Sequence, residues 1–318
     1  MIFIKFIAMK QLLQKISIAL LLLLLIKSAT GQTDIDGVMM EKNALCIGPM
    51  FGHSSWKNYW EGTLKRDNLN LGKVSTSTYS IMGNYGITNK LNVLFGLPYI
   101  KTKASAGQLK GMKGIQDLSF WIKWKGYSKK IGQGRLSLFA IGGYSFPVSD
   151  YTADFLPMSI GLESKNLSLR GMVDYQRGSW FGTASTTYIR RSNIEIDRTA
   201  YYTTETHYTN EVKMPDAASY NVRAGYRDKG GYAEMVLDGW KTLGGFDITR
   251  NNMPFPSNET NATRIGFNFK YPMSFLPQLS VTGNVMTTVA GRNVGQTTGF
   301  NAGIFYVLDL SKKEKKEK

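Results

Sequence analysis

The sequence predicts an all-β fold: a transmembrane, antiparallel, up-and-down β-barrel of about twelve strands. Three observations carry that expectation. Apolar residues recur at every second position over long segments, connections alternate between short and long, and an export leader precedes them. Helix-length 3.6-residue patterns are absent beyond the leader.

The leader is expected over 1–31. Lys5, Lys10 and Lys15 precede the apolar run 16–26, and the small residues of "KSATGQ" follow. That order is a secretory signal peptide, with Ala29 and Gly31 placed for a cut before Gln32. The run is too short for a spanning helix, which needs about 20 residues. A periplasmic N-terminal segment is expected over 32–43, the barrel over 44–310 and a basic disordered tail over 311–318.

Alternation can then be followed along the chain. It is weak in 44–52. In 74–87 the apolar parity is Tyr79, Ile81, Tyr85 and Ile87, and in 91–99 it is Leu91, Val93, Phe95, Leu97 and Tyr99. Segment 114–126 sets Leu118, Phe120, Ile122 and Trp124 opposite Asp117, Ser119, Lys123 and Lys125. Segment 135–147 offers Leu136, Leu138, Ala140, Tyr144 and Phe146. Leu167, Leu169, Val173 and Tyr175 face away from Arg170 and Asp174; 180–191 alternates weakly.

Tyr220, Val222, Ala224 and Tyr226 oppose Asn221, Arg223 and Arg227, and Ile265, Phe267, Phe269 and Tyr271 oppose Arg264, Asn268 and Lys270. Segments 231–241, 278–290 and 299–310 alternate too. Segments of about 9 to 14 residues match the 9–11 needed to cross a membrane at a tilt, where soluble strands average about 5–6.

Connections give an independent test. "TNK", "SKKIGQG", "RGS", "DKG" and "PMSFLP" are short, and each alternates with a longer stretch, the longest being 192–216. Short periplasmic turns and long external loops are the signature of outer-membrane barrels, as is an even strand number. Aromatic residues near strand ends suit interfacial girdles.

Composition narrows the function. The formal charge is +16, with four of the lysines in the leader and five in the terminal "KKEKKEK". Export makes nucleic acid an improbable partner for that charge. One cysteine, Cys46, excludes an intrachain disulfide and a thiolate cluster, and no metal or cofactor is expected. Two histidines, His53 and His207, pair with no nucleophile motif, so no enzyme is expected. "NLS", "NET" and "NAT" read as loop chemistry, and the "GG" pairs precede no helix that would bind phosphate.

The polar parity supplies candidate pore-lining residues: Asp117, Lys123, Lys125, Arg170, Asp174, Arg223, Arg227, Glu234, Asp238, Arg264 and Lys270. Charges inside a barrel need water or partners. They form either a hydrated pore whose basic excess favours anionic or electron-rich solutes, or a salt-bridged network that fills the barrel. Pro49, Pro98 and Pro147 are expected at the outer ends of upward strands. There they mark where pairing stops, or loosen the wall for lateral exit of a hydrophobic solute.

The stretch "YGITNKLNVLFGLPYIKTK", followed by "GIQDLSFWIKWKGY", resembles the hairpin of bacterial outer-membrane barrels grouped as meta-pathway phenol-degradation transporters. The positions concerned are Tyr85, Gly86, Ile87 and Thr88; Leu97, Pro98 and Tyr99; Gly114, Asp117 and Leu118. The resemblance implies a transport role for small hydrophobic or aromatic compounds, with the outer-membrane bilayer and a small-molecule solute as partners of a monomer. The alternative is a non-conducting structural or adhesive barrel acting through its external loops, 192–216 above all.

Overall fold

The computed structural model describes residues 33–248 and 254–311; the expected leader and the tail from 312 lie outside them. No helix occurs among the described residues. Twelve long strands form the wall: β1 (Ala44–Trp56), β2 (Val74–Thr88), β3 (Leu91–Ala104), β4 (Asp117–Ile131), β5 (Gly134–Pro147), β6 (Asn166–Arg177), β7 (Trp180–Arg191), β8 (Ala217–Asp228), β9 (Gly231–Thr242), β10 (Asn261–Met273), β11 (Leu276–Arg292) and β12 (Thr298–Asp309). Each pairs antiparallel with its sequence neighbours, and β12 closes on β1 from Ala44↔Asp309 to Ser55↔Thr298. A short strand, Lys113–Ile115, adds to the upper part of β3.

Closure leaves no free edge, so ladder hydrogen bonds are satisfied within the wall. That is the condition for strands in hydrocarbon. The faces are inverted relative to a soluble sandwich. Leu169 is 66 % exposed, whereas the side chain of adjacent Arg170 is 15 % exposed. Phe120, Ile122, Trp124, Ile265, Phe267 and Phe269 likewise point outward, in the band a bilayer would cover.

The five tight connections (89–90, 132–133, 178–179, 229–230 and 274–275) lie at one end together with both ends of the barrel chain. At the opposite end, connections run to the 25 residues of 192–216. By the asymmetry of outer-membrane barrels the first end is periplasmic and the second external.

Two expectations need correction. Segment 33–43 does not lie in the periplasm; it folds back into the lumen, where Asp36 is buried among wall residues. There its carboxylate meets the fully buried ammonium of Lys123, a charge with no access to water. The second concerns prolines. Pro147 ends β5, but Pro49 and Pro98 sit within β1 and β3. Pro98 survives there because β3 changes partner beside it. Pairing with β4 ends at Gly96↔Ser119 and pairing with 113–115 begins at Tyr99↔Ile115, so no donor is demanded of the proline. Likewise, β1–β12 pairing skips Gly48 and Pro49, between Ile47↔Tyr306 and Met50↔Gly303.

Candidate channel lumen

All eleven candidate residues lie on the inward parity, and most are held in discrete pairs. The amino-terminal segment supplies two of the acids. Lys123 Nζ donates to Asp36 O (2.6 Å), Asp36 Oδ1 (3.0 Å) and Thr33 O (3.0 Å). Arg170 Nη1 donates to Asp34 Oδ2 at 2.7 Å, and its Nε to Thr187 Oγ1 at 2.7 Å. Asp36 shapes the segment as well: its carboxylate accepts from Thr33 N (2.5 Å) and Val38 N (3.1 Å), an Asx-type turn.

Apolar contacts hold the rest of the segment. Met39 packs on inward-facing Phe139, Ile141, Met172 and Trp121; Met40 packs with Ala44, Cys46, Phe305 and Val307. Alternation could not reveal this inner patch, because β5 is apolar on both parities: Leu136 and Leu138 outside, Phe139 and Ile141 inside.

Wall charges pair among themselves elsewhere. Arg223 Nη1 meets Glu234 Oε1 at 2.7 Å, and Asn268 donates to the same oxygen at 2.8 Å. Arg227 reaches Asp174 at 3.2 Å and lies over the Phe181 ring, 3.9 Å from its centroid. Arg264 pairs with Asp238 at 2.5 Å, and Lys270 is buried in the inner wall. Asp117 belongs to the mouth instead. It accepts from Tyr151 Oη at 2.6 Å, and that hydroxyl accepts from Glu163 N at 3.0 Å. Together with Thr102 Oγ1 donating to Met158 O (2.6 Å), this draws loop 148–165 against the inner wall.

Three cavities follow the barrel axis. A basal one of ≈ 970 Å³ is bounded by Glu41, Lys42, Lys125, Lys130, Arg135 and Arg227. A bulge at Gly126 turns Ser128 and Lys130 inward to complete it. A narrow one of ≈ 130 Å³ lies between Asp34, Ile35, Leu94, Arg223 and Tyr232. An upper one of ≈ 570 Å³ is bordered by Thr78, Trp240, Arg264 and Thr288, and shares Asn301 with the narrow one. The amino-terminal segment lines two of the three, with Gly37 to Lys42 at the basal cavity and Thr33 to Ile35 at the narrow one.

The described structure is similar in fold to a solved protein. The COG4313 outer membrane channel from Pseudomonas putida F1 aligns with a TM-score of 0.68 at 14% identity, over 88% of this chain and 100% of that one. This chain shares that fold, a closed antiparallel β-barrel.

The translocator domain of the autotransporter NalP from Neisseria meningitidis aligns at a TM-score of 0.44, 10% identity, with coverage of 84% of this chain and 90% of that one. Pseudomonas aeruginosa OccK9 aligns at 0.37 and 7% identity, with coverage of 83% and 97%. No family model matches the barrel's sequence, and no curated protein does.

The fold agrees with the resemblance read from the hairpin and explains several of its positions. A Cβ on Gly86 would lie 2.0 Å from Glu41 O, so the glycine leaves room for the amino-terminal segment. Asn43 N donates to Gly86 O at 2.7 Å. Asp117 anchors the mouth loop, and Pro98 marks the partner switch of β3.

The long loops of the barrel form a cap with its own small cores. Ala153, Ile194, Ile196, Val212 and Met214 cluster from two loops, joined by Leu162, Tyr201 and Phe255. Asn293, at φ 52°, ties three connections: its Oδ1 accepts from Gly62 N (2.7 Å) and Ile248 N (3.1 Å), and its Nδ2 donates to Asp247 Oδ1 and Glu259 O, both at 2.7 Å. Sequence patterning offers no signal for such a hub. His207 stacks on Tyr201 within the cap, while His53 sits on the outer wall, Nδ1 3.1 Å from Ser77 Oγ.

Proposed function

We propose that the barrel is a passive channel for small solutes, constricted at mid-height by its amino-terminal segment. The observation that carries this reading is the run of three cavities along the axis, narrowed where Asp34 and Ile35 face Arg223 and Tyr232. The inward charged residues act as pore lining around that segment. Lys42, Lys125, Lys130 and Arg135 form no ion pair with a described residue, so the basal cavity favours anionic or electron-rich solutes.

Apolar or aromatic solutes have a second route in this reading. Met50 borders both the narrow cavity and an outer groove lined by Pro49 and Pro98, which supports a lateral exit at these prolines. The test is solute flux and single-channel conductance of the purified barrel in planar bilayers and liposomes. Neither ion current nor flux of phenolic probes, from protein shown to be folded, would leave the loop cap as the functional surface. That outcome would favour a non-conducting adhesive barrel.

A further inference from the structure

The outer wall at the external end carries a charge arrangement that transport does not use. Register places outward-facing residues in rows around the barrel. One row is Phe51, Tyr79, Tyr99 and Ile115, with Phe51–Tyr79 and Tyr79–Tyr99 ring centroids 5.2 and 6.5 Å apart. This is an aromatic girdle at the bilayer's outer interface. The next row outward is His53, Ser77, Lys101 and Lys113, and Lys103 stands one step further on β3.

Lys101 and Lys113 are directly opposite each other in an antiparallel pair. Like charges in that position destabilise the pair. All three lysines are exposed, and none makes an ion pair with a described residue. Ammonium groups so placed at a membrane interface call for an external anion. Lysine is a habitual phosphate ligand, and its stem lies along apolar surface while the head reaches a head group.

Directly below the lysines is an apolar outer groove of ≈ 770 Å³. Tyr79, Leu97, Tyr99 and Ile115 form one side, and Ala302 and Ile304 the other. Its size falls within the range of about 300–1,000 Å³ usual for ligand clefts. A cationic row above an apolar groove matches an amphiphile with phosphate at one end and acyl chains at the other. The outer leaflet of an outer membrane is built of such molecules, multiply acylated and phosphorylated glycolipids.

We infer that Lys101, Lys103 and Lys113, with the groove beneath them, form a binding site for one phosphorylated, acylated glycolipid of the outer leaflet. The phosphate offsets the Lys101–Lys113 repulsion, and an acyl chain lies in the groove between β12 and β3. This site is independent of the transport reading, although a lipid in the groove would compete with a solute leaving there.

Native mass spectrometry of the detergent-solubilised barrel tests it, with bisphosphorylated lipid A, enzymatically dephosphorylated lipid A and phosphatidylglycerol as probes. The expected result is one tightly held bisphosphorylated lipid A per barrel. Changing Lys101, Lys103 and Lys113 together to Gln should weaken it by about fivefold per lysine, the factor corresponding to roughly 1 kcal/mol per basic residue at an anionic lipid surface. Ala302→Trp, which fills the groove, should weaken it with all three lysines present. Heat-modifiable gel migration verifies folding of each variant, and bilayer conductance should match wild type in the Gln variant because the lysines face outward. Equal retention of dephosphorylated lipid A or of phosphatidylglycerol, or unchanged binding by a folded Gln variant, would overturn the site.

Discussion

Lys123 of β4 and Asp36 of the amino-terminal segment meet at 3.0 Å inside the barrel, both side chains removed from solvent. Two backbone carbonyls of the same segment complete the ammonium's contacts. The pair therefore ties the segment to the wall.

Removing one partner should release the segment. Asp36→Ala leaves a buried ammonium without its carboxylate, a loss of about 3–5 kcal/mol for a broken buried pair. Single-channel recording should show larger conductance or frequent opening, and a lower unfolding temperature should accompany it. Asp36→Leu combined with Lys123→Met should regain much of the stability while leaving the segment held only by the Asp34–Arg170 pair, its backbone contacts and the packing of Met39 and Met40.

Gly86 offers an independent handle on the same constriction. In Gly86→Val the side chain would occupy the space of Glu41 O, so the segment must shift while β2 retains its pairing. Accessibility of an engineered cysteine at Val38 to a thiol reagent, in a background with Cys46 changed to Ser, should rise. Unchanged labelling would mean that the wall, rather than the segment, yields.

Selectivity should follow the basal charges. Lys125→Glu with Arg135→Glu replaces two unpaired cations by acids beside Lys42 and Lys130. Under a salt gradient, the reversal potential of the wild-type barrel should indicate anion preference. The double variant should move it toward cations, more so at low salt, where screening is weak.

Lateral exit has its own variant. Pro98→Ala restores a donor where β3 lacks a partner, so barrel stability should change by less than about 1 kcal/mol. Uptake of an apolar phenolic probe into liposomes should slow if the wall opens there, while ionic conductance stays constant. Equal uptake by both proteins removes the lateral route.

The cap should loosen in acid. Hydrogen bonds from Arg292 hold the Asp247 carboxyl below its usual range, helped by Asn293. A depressed carboxylate contributes stability that is complete above its ordinary value of about 4 and lost as pH falls through the lower folded value. Limited proteolysis of the long loops should therefore accelerate below about pH 4. Asp247→Asn should cleave faster at neutral pH and show less acceleration, and Asn293→Ala should open the cap at any pH.

The strands, their outward faces and their even number were legible in the residues, because alternation is a local property of the pleat. Leu91, Val93, Phe95 and Leu97 face outward as their spacing implies, and Arg223 and Arg227 face inward. Which carboxylate each inward cation meets was not legible. Arg223 and Glu234 are neighbours across a hairpin, but Lys123 and Asp36 lie 87 residues apart. Nothing in a polar amino-terminal stretch distinguishes a periplasmic segment from one that enters a lumen. That was decided only once the closed wall brought Lys123, Arg170 and the inner patch of Phe139, Ile141 and Met172 around the segment. Buried ions and apolar side chains facing inward need partners, and segment 33–43 supplies Asp34, Asp36, Met39 and Met40 to them. The same holds for Pro98: alternation placed it in a strand, and only the change of neighbour along β3 shows why a missing donor costs nothing there.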